Sequence, residues 1–185
     1  MPATVEKKKY SAAEYATLPD SIASRYSELV RGEIVETAQP GFNHGEIQLA
    51  IGSLLRVHCQ TTASCRVVTE SGVITERDPD TVRGPDVSLY SARRLPMNKS
   101  VRVYPDIPAD LCVEVRSPDD TIKKLLEKAE EYLRSGVKAV WIVDPKSKSV
   151  RVSTVNDTRI LKVGDILDGG ELLPGFSCKV EEFFK

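Results

Sequence analysis

The chain lacks several features that would have fixed its class at once. Its four cysteines, Cys59, Cys65, Cys112 and Cys178, include no C-x-x-C pair, so neither a structural zinc site nor a disulfide framework is expected. No window approaches the ~18 apolar residues that a membrane-spanning helix needs. The opening MPATVEKKKY has no apolar stretch of the kind a secretory leader carries, and a reducing cytoplasm is the expected compartment. Charge of one sign is missing too: the net charge is −1. Any contact with nucleic acid must therefore come from local basic patches and be sensitive to salt. The candidates are Lys7-Lys8-Lys9, Arg93-Arg94, Lys123-Lys124 and Lys146 with Lys148, each of which also reads as an ordinary solvated face. There is no internal repeat, low-complexity block or linker.

What is present is an ordinary globular composition, 41% hydrophobic and 29% charged over 185 residues, enough for one domain with one substantial core. Residues 1–9 read as a charged tail. Ser11-Ala12-Ala13-Glu14 fits a capping box at the start of a short helix that stops near Pro19. Tyr26–Val30 and Ile34–Thr37 flank Arg31-Gly32-Glu33, the pattern of a β-hairpin. Ile47, Ile51, Leu54 and Leu55 give helical spacing over residues 44–60, with Asn43 as the cap. Arg66–Glu70 and Val73–Glu76 read as short strands, Asp78-Pro79-Asp80 as a polar turn, and 91–110 as a short helix with an irregular connection.

Leu111–Arg116 is a buried strand. Ser117-Pro118-Asp119-Asp120 then reads as the capped start of a helix, whose stripe is Ile122, Leu125, Leu126, Ala129, Tyr132 and Leu133 and which ends at Gly136. Ala139–Asp144 is a further buried strand, so residues 111–144 form a right-handed βαβ crossover with parallel strands. A hairpin over Val150–Val155 and Arg159–Val163 follows, and short elements are expected around Leu172-Leu173 and Val180–Phe184. Antiparallel hairpins beside a parallel crossover make a mixed sheet flanked by helices, of α/β or α+β class.

Two carboxylates stand out against this background. Asp86 opens the strand-like run Val87–Tyr90, and Glu114 lies inside the apolar run Leu111–Val115. A buried carboxylate costs several kcal/mol unless it is paired, hydrogen-bonded or bound to a metal. Two of them on neighbouring strands suit a divalent cation, with the carbonyl of Val115 as a third oxygen. Phosphodiester hydrolysis uses such a cation, Mg²⁺ with Mn²⁺ as a substitute, to activate water and neutralise phosphate charge. A lysine is expected two residues after the glutamate, but Arg116 stands there; it can steady a phosphate and is a poor proton acceptor. Lys128 is the other cation, at the edge of the helical stripe beside Leu125 and Tyr132 and away from an outer face that holds Lys123, Lys124 and Glu131. Snorkelling over the core edge is the competing reading of Lys128.

With these pieces in order, the chain resembles the Uma-type family of restriction-endonuclease-like proteins, within the PD-(D/E)XK nuclease superfamily. The resemblance rests on YSELVRGE (26–33), PGFNHGEI (40–47), DPDTVRGPDV (78–87), DLCVEVRSP (110–118), the segment 128–132 and GVKAVWIVDP (136–145). It implies a restriction-endonuclease-like fold, a Mg²⁺-dependent endonuclease acting on DNA, Asp86 and Glu114 as metal-binding acids, and Lys128 as the lysine moved from the strand to the following helix. Arg116 is a departure from the family, which more often carries an aliphatic residue there. By the same resemblance Glu33 joins the site, although locally it reads as a surface turn residue. His44, which falls on the buried helical face, reads either as a core histidine or, by the same resemblance, as a polar group lining the cleft near the metal. A homodimer is expected by analogy with nucleases that cut both strands. The competing readings are a nuclease fold without turnover that binds nucleic acid or protein, and a purely structural acid–base network in which Glu114 pairs with Arg116 or Lys128 inside the sheet.

Overall fold

The computed structural model describes residues 8–185; most of the charged tail expected over 1–9 lies outside them. Lys8 and Lys9, which are described, sit against the first hairpin. The Lys8 ammonium lies over the Tyr10 ring, and Tyr10 N donates to the Gly32 carbonyl at 2.8 Å. Ser11 and Glu14 form the expected capping box on α1 (Ala12–Tyr15). β1 (Ser27–Val30) and β2 (Glu33–Glu36) pair antiparallel around Arg31 and Gly32, both at positive φ, which is the geometry that matches the twist of a tight hairpin.

α2 (Phe42–Thr62) is a 21-residue helix that buries His44, Ile47, Ile51, Leu55 and Cys59. Its cap is Gly41 rather than the expected Asn43, and no side chain bonds its first amides. β3 (Cys65–Thr69) and β4 (Val73–Glu76), adjacent in sequence, enter different sheets. β5 (Thr81–Arg83), within the stretch read only as a turn leading to Pro85, completes a four-stranded sheet of order β2-β1-β5-β4. The larger sheet adds β6 (Val87–Ser91), β7 (Leu111–Val115), β8 (Ala139–Asp144), β9 (Ser149–Thr154) and β10 (Thr158–Lys162), in the order β10-β9-β8-β7-β6-β3. Only β7 and β8 are parallel, joined by α3 (Ile122–Arg134) as the crossover. β11 (Ile166–Asp168) pairs with β12 (Ser177–Lys179), and a 3₁₀ helix follows over Val180–Phe184.

Side-chain alternation along β7 divides the core. Leu111, Val113 and Val115 pack with Ile47, Ile51 and Leu55 of α2 and with Leu173, Phe176 and Phe183 of the C-terminal segment. Cys112 faces the other way, with Tyr90, Val140 and Ile142, against Leu125, Ala129 and Tyr132 of α3. Glu114 has the same parity as Cys112, so a carboxylate occupies a core position beneath α3.

Three expectations are corrected. Residues 91–110 contain turns and no helix. α3 begins four residues later than read: Thr121 is its cap, while Ser117–Asp120 forms a turn in which Ser117 N donates to Asp120 Oδ2 at 3.0 Å. Cys59 and Cys65 are disulfide-bonded across the end of α2, and Cys112 and Cys178 are free and buried. No helix among the described residues is long and apolar enough to cross a membrane.

Candidate active site

β1, β2 and β5 of the small sheet meet β7, α2, α3 and the segment just before β6 around a cleft of about 930 Å³. Asp86, Glu114, Val115, Lys128 and His44 all line it; Glu33 and Arg116 do not. Arg116 turns to the end of β8, where its Nη1 lies 3.1 Å from Asp144 Oδ2, and its Nε donates to the Asp120 carbonyl. It is a clasp for the loop before α3. Glu33 pairs opposite Val30 in the first hairpin. The acid that β1 contributes is instead Glu28.

Glu28 and Glu114 share one cation. Lys128 Nζ lies 2.8 Å from Glu28 Oε1 and 2.9 Å from Glu114 Oε1. Lys128 stands one turn before Tyr132 on the inner face of α3, and the Tyr132 hydroxyl donates to the same Glu114 oxygen at 2.8 Å. The helix edge thus reaches over the sheet, as the position of Lys128 on the stripe suggested. Arg83 extends the network from β5. Its Nη1 contacts Glu28 Oε2 at 2.9 Å, while its Nε and Nη2 fork onto Glu131 at 2.9 and 2.6 Å. Gly84 N donates to Glu28 as well. Glu131, expected on the outer face of the helix, is turned inward by this fork.

The proton affinities follow from the geometry. Burial is the largest influence on Glu114 and raises its pKa to about 7; Lys128 opposes this, while Asp86 and Glu28 add to it. Glu28 is also penalised by burial, but Lys128, Arg83 and the Gly84 amide outweigh that penalty and hold its pKa below the usual carboxylate range. Two cations hold Glu28 and one holds Glu114, so a proton settles first on Glu114. Burial disfavours the Lys128 ammonium, yet the two glutamates raise its pKa, and it stays charged. A lysine in this state is an electrostatic group and not a base.

Asp86 is fixed from two sides. Val115 N donates to its Oδ2 at 2.5 Å, and His44 Nε2 lies 3.2 Å from its Oδ1. Burial pulls the His44 pKa down, but the hydrogen bond and charge of Asp86, the Val115 carbonyl and Glu70 bring it above the ordinary value. Gln48, one turn along α2, donates to the Asp86 carbonyl at 3.0 Å and to Glu70 at 2.7 Å.

Among the described residues, no group of three or more His, Cys, Asp or Glu side chains is placed to hold a metal ion. Mg²⁺ does not require one, because it keeps several waters and is bound through one or two carboxylates. The donors here are hard oxygens. Glu114 also carries a protonation bias caused in part by neighbouring negative charge, which a cation would relieve. Asp86 and Glu114 are thus donors of the kind such an ion takes.

Glu28, Arg83 and Glu131 were not anticipated as a group. Glu28 sits in a short strand beside the turn acid Glu33, and only the pairing of β1 with β5 brings Arg83 to it. A signal did exist, since Glu28 alternates with Val30 on a strand whose centre is buried.

A comparison with curated proteins gives no match. Among solved structures, the chain is similar to a protein of Anabaena variabilis ATCC 29413 described as "a putative nuclease belonging to DUF820". The TM-score is 0.80 at 21% identity, covering 95% of this chain and 97% of the other, a likeness of fold. A family model described as "Putative restriction endonuclease" matches residues 12–181. The protein belongs to that family, Uma2.

Proposed function

We propose that the protein is a metal-dependent endonuclease that hydrolyses DNA phosphodiester bonds in this cleft. The observation that carries the reading is the seat of Lys128, whose ammonium touches Glu114 in the cleft that Asp86 also lines. An acid just before β6, an acid from β7 and a lysine from the next helix together make the Asp–Glu–Lys set on which such chemistry would rest.

Asp86 and Glu114 would hold Mg²⁺ or Mn²⁺, with the Val115 carbonyl as a further oxygen. When bound, the cation would lower the pKa of a water and neutralise charge on the scissile phosphate. The protein's own groups have separate tasks. His44 and the Val115 amide orient Asp86. Tyr132 and Lys128 orient Glu114, which must lose its proton before it can act as a ligand. Lys128, permanently charged, stabilises negative charge that develops on the phosphate. Glu28 and Arg83 keep Lys128 from swinging out to solvent. Cytoplasmic residence and action as a homodimer, so that both strands are cut, complete the proposal.

One observation favours the alternative, a nuclease fold that binds without turnover. Ten Asp and Glu side chains line the cleft against five Lys and Arg, so it repels a polyanion until cations are bound.

Incubation with supercoiled plasmid separates the two. Nicking or linearisation that requires Mg²⁺ or Mn²⁺ and is lost in Asp86→Ala and Glu114→Ala is expected. Equal residual cleavage in wild type and Glu114→Ala would assign the activity to a contaminant and leave the binding module.

A further inference from the structure

The outer face of α2 is unpartnered. Its inner residues fill the core, while Phe42, Leu49 and Val57 stand 85%, 69% and 63% exposed on the side away from it. Glu46, Ser53, Arg56 and Gln60 are exposed with them. Neither Glu46 nor Arg56 has an ion-pair partner among the described residues. Phe42, Leu49 and Arg56 recur every seven residues, and Glu46, Ser53 and Gln60 recur every seven with an offset of four. They form two columns along one exposed face, apolar at Phe42 and Leu49 and polar or charged at the other four positions.

We propose that this seam binds a second copy of the chain, with the two α2 helices antiparallel about a two-fold axis at Ile51. The charges on this face complement one another across such an axis. In that register Glu46 lies level with the partner's Arg56, Leu49 with the partner's Ser53, and Phe42 with the partner's Gln60, and each pairing is repeated by symmetry as a closed dimer demands. Gly45, where an added Cβ would meet nothing within 4 Å, lies level with the partner's Val57 and leaves room for it. A parallel pairing would set Glu46 against Glu46 and Arg56 against Arg56, so the two charges select the antiparallel arrangement. The seam carries one acid and one base, which gives it no attraction for a polyanion. From Phe42 to Gln60 it runs ~27 Å. One helix pair of this length buries less than a standard interface of ~1,600 Å², so the dimer is reversible. None of these seam residues lines the cleft, and the association does not depend on the chemistry proposed there.

Sedimentation equilibrium of the full chain over a range of concentrations tests the proposal. The wild type is expected to show a monomer–dimer equilibrium. Glu46→Arg and Arg56→Glu should each weaken it roughly tenfold, since each places like charges at two symmetric positions. The double variant should recover affinity close to wild type, and Leu49→Asp should be monomeric. All three substitutions are at exposed positions and should leave the fold intact in all four variants, which circular dichroism checks. A wild type that is monomeric throughout, leaving the seam to some other occupant, overturns the proposal. So does a dimer indifferent to the single reversals, or a double variant no better than either single one.

Discussion

Lys128 is held by two glutamates that would otherwise repel each other. Removing one partner of a buried ion pair leaves an uncompensated charge, at a cost of about 3 kcal/mol. Lys128→Met keeps the stem and deletes the charge. It is expected to lower unfolding free energy by about that amount in urea titration, less whatever Glu114 recovers by taking a proton. It should also reduce plasmid cleavage by about a hundredfold, the usual loss when one stabilising donor is taken from a reacting centre. Undiminished cleavage would move Lys128 from the chemistry to the framework. The pH behaviour of Glu114 has a definite sign. Its folded pKa lies above that of an unfolded glutamate. Without metal it therefore favours the fold fully in acid, and that contribution is lost as pH rises through about 7. The proposed metal binding would run the other way, because a ligand must be deprotonated.

Among the elements, α3 does most to assemble the site. Leu125, Ala129 and Tyr132 seat it on the sheet, and the same inner edge presents Lys128. Thr121, whose side chain accepts from Lys124 N, fixes where the helix starts. Thr121→Ala is expected to lower stability by about 1 kcal/mol, read by chemical denaturation, with metal affinity retained because no ligand moves. The apolar stripe of α3 was visible in the sequence, and so was the parallel crossover it makes, because helical and strand periods are local properties. The cap was not: Asp120 closes a turn back onto Ser117, and that contact competes with helix formation in a way that residue type does not reveal. Glu114, Asp86 and Lys128 were legible because two acids and one base interrupt otherwise apolar patterns. Glu28 and Arg83 were hidden because their partnership needs a sheet whose strand β5 spans only three residues beside a polar turn. Arg116 had the right parity for the site, but it lies one residue beyond β7, where the chain is free to turn toward Asp144.

At the scale of the whole molecule, two sheets meet along one side, and their junction is the cleft. The small sheet supplies Glu28 and Arg83, the large sheet supplies Asp86 and Glu114, and the helices on the two faces of the large sheet supply His44 and Lys128. Such a site forms only when both sheets are in place, which couples its geometry to the packing of the entire chain. The excess of acid in the cleft makes cation binding the first requirement for any polyanionic substrate, before specificity or strand choice arises. Isothermal titration with Mn²⁺ therefore tests the central claim most directly. Stoichiometric binding is expected to tighten as pH rises through about 7, the range in which Glu114 gives up its proton, and to disappear in Asp86→Ala and Glu114→Ala. A wild type that binds no Mn²⁺ at any pH in that range, or binding that survives both substitutions, would contradict that claim.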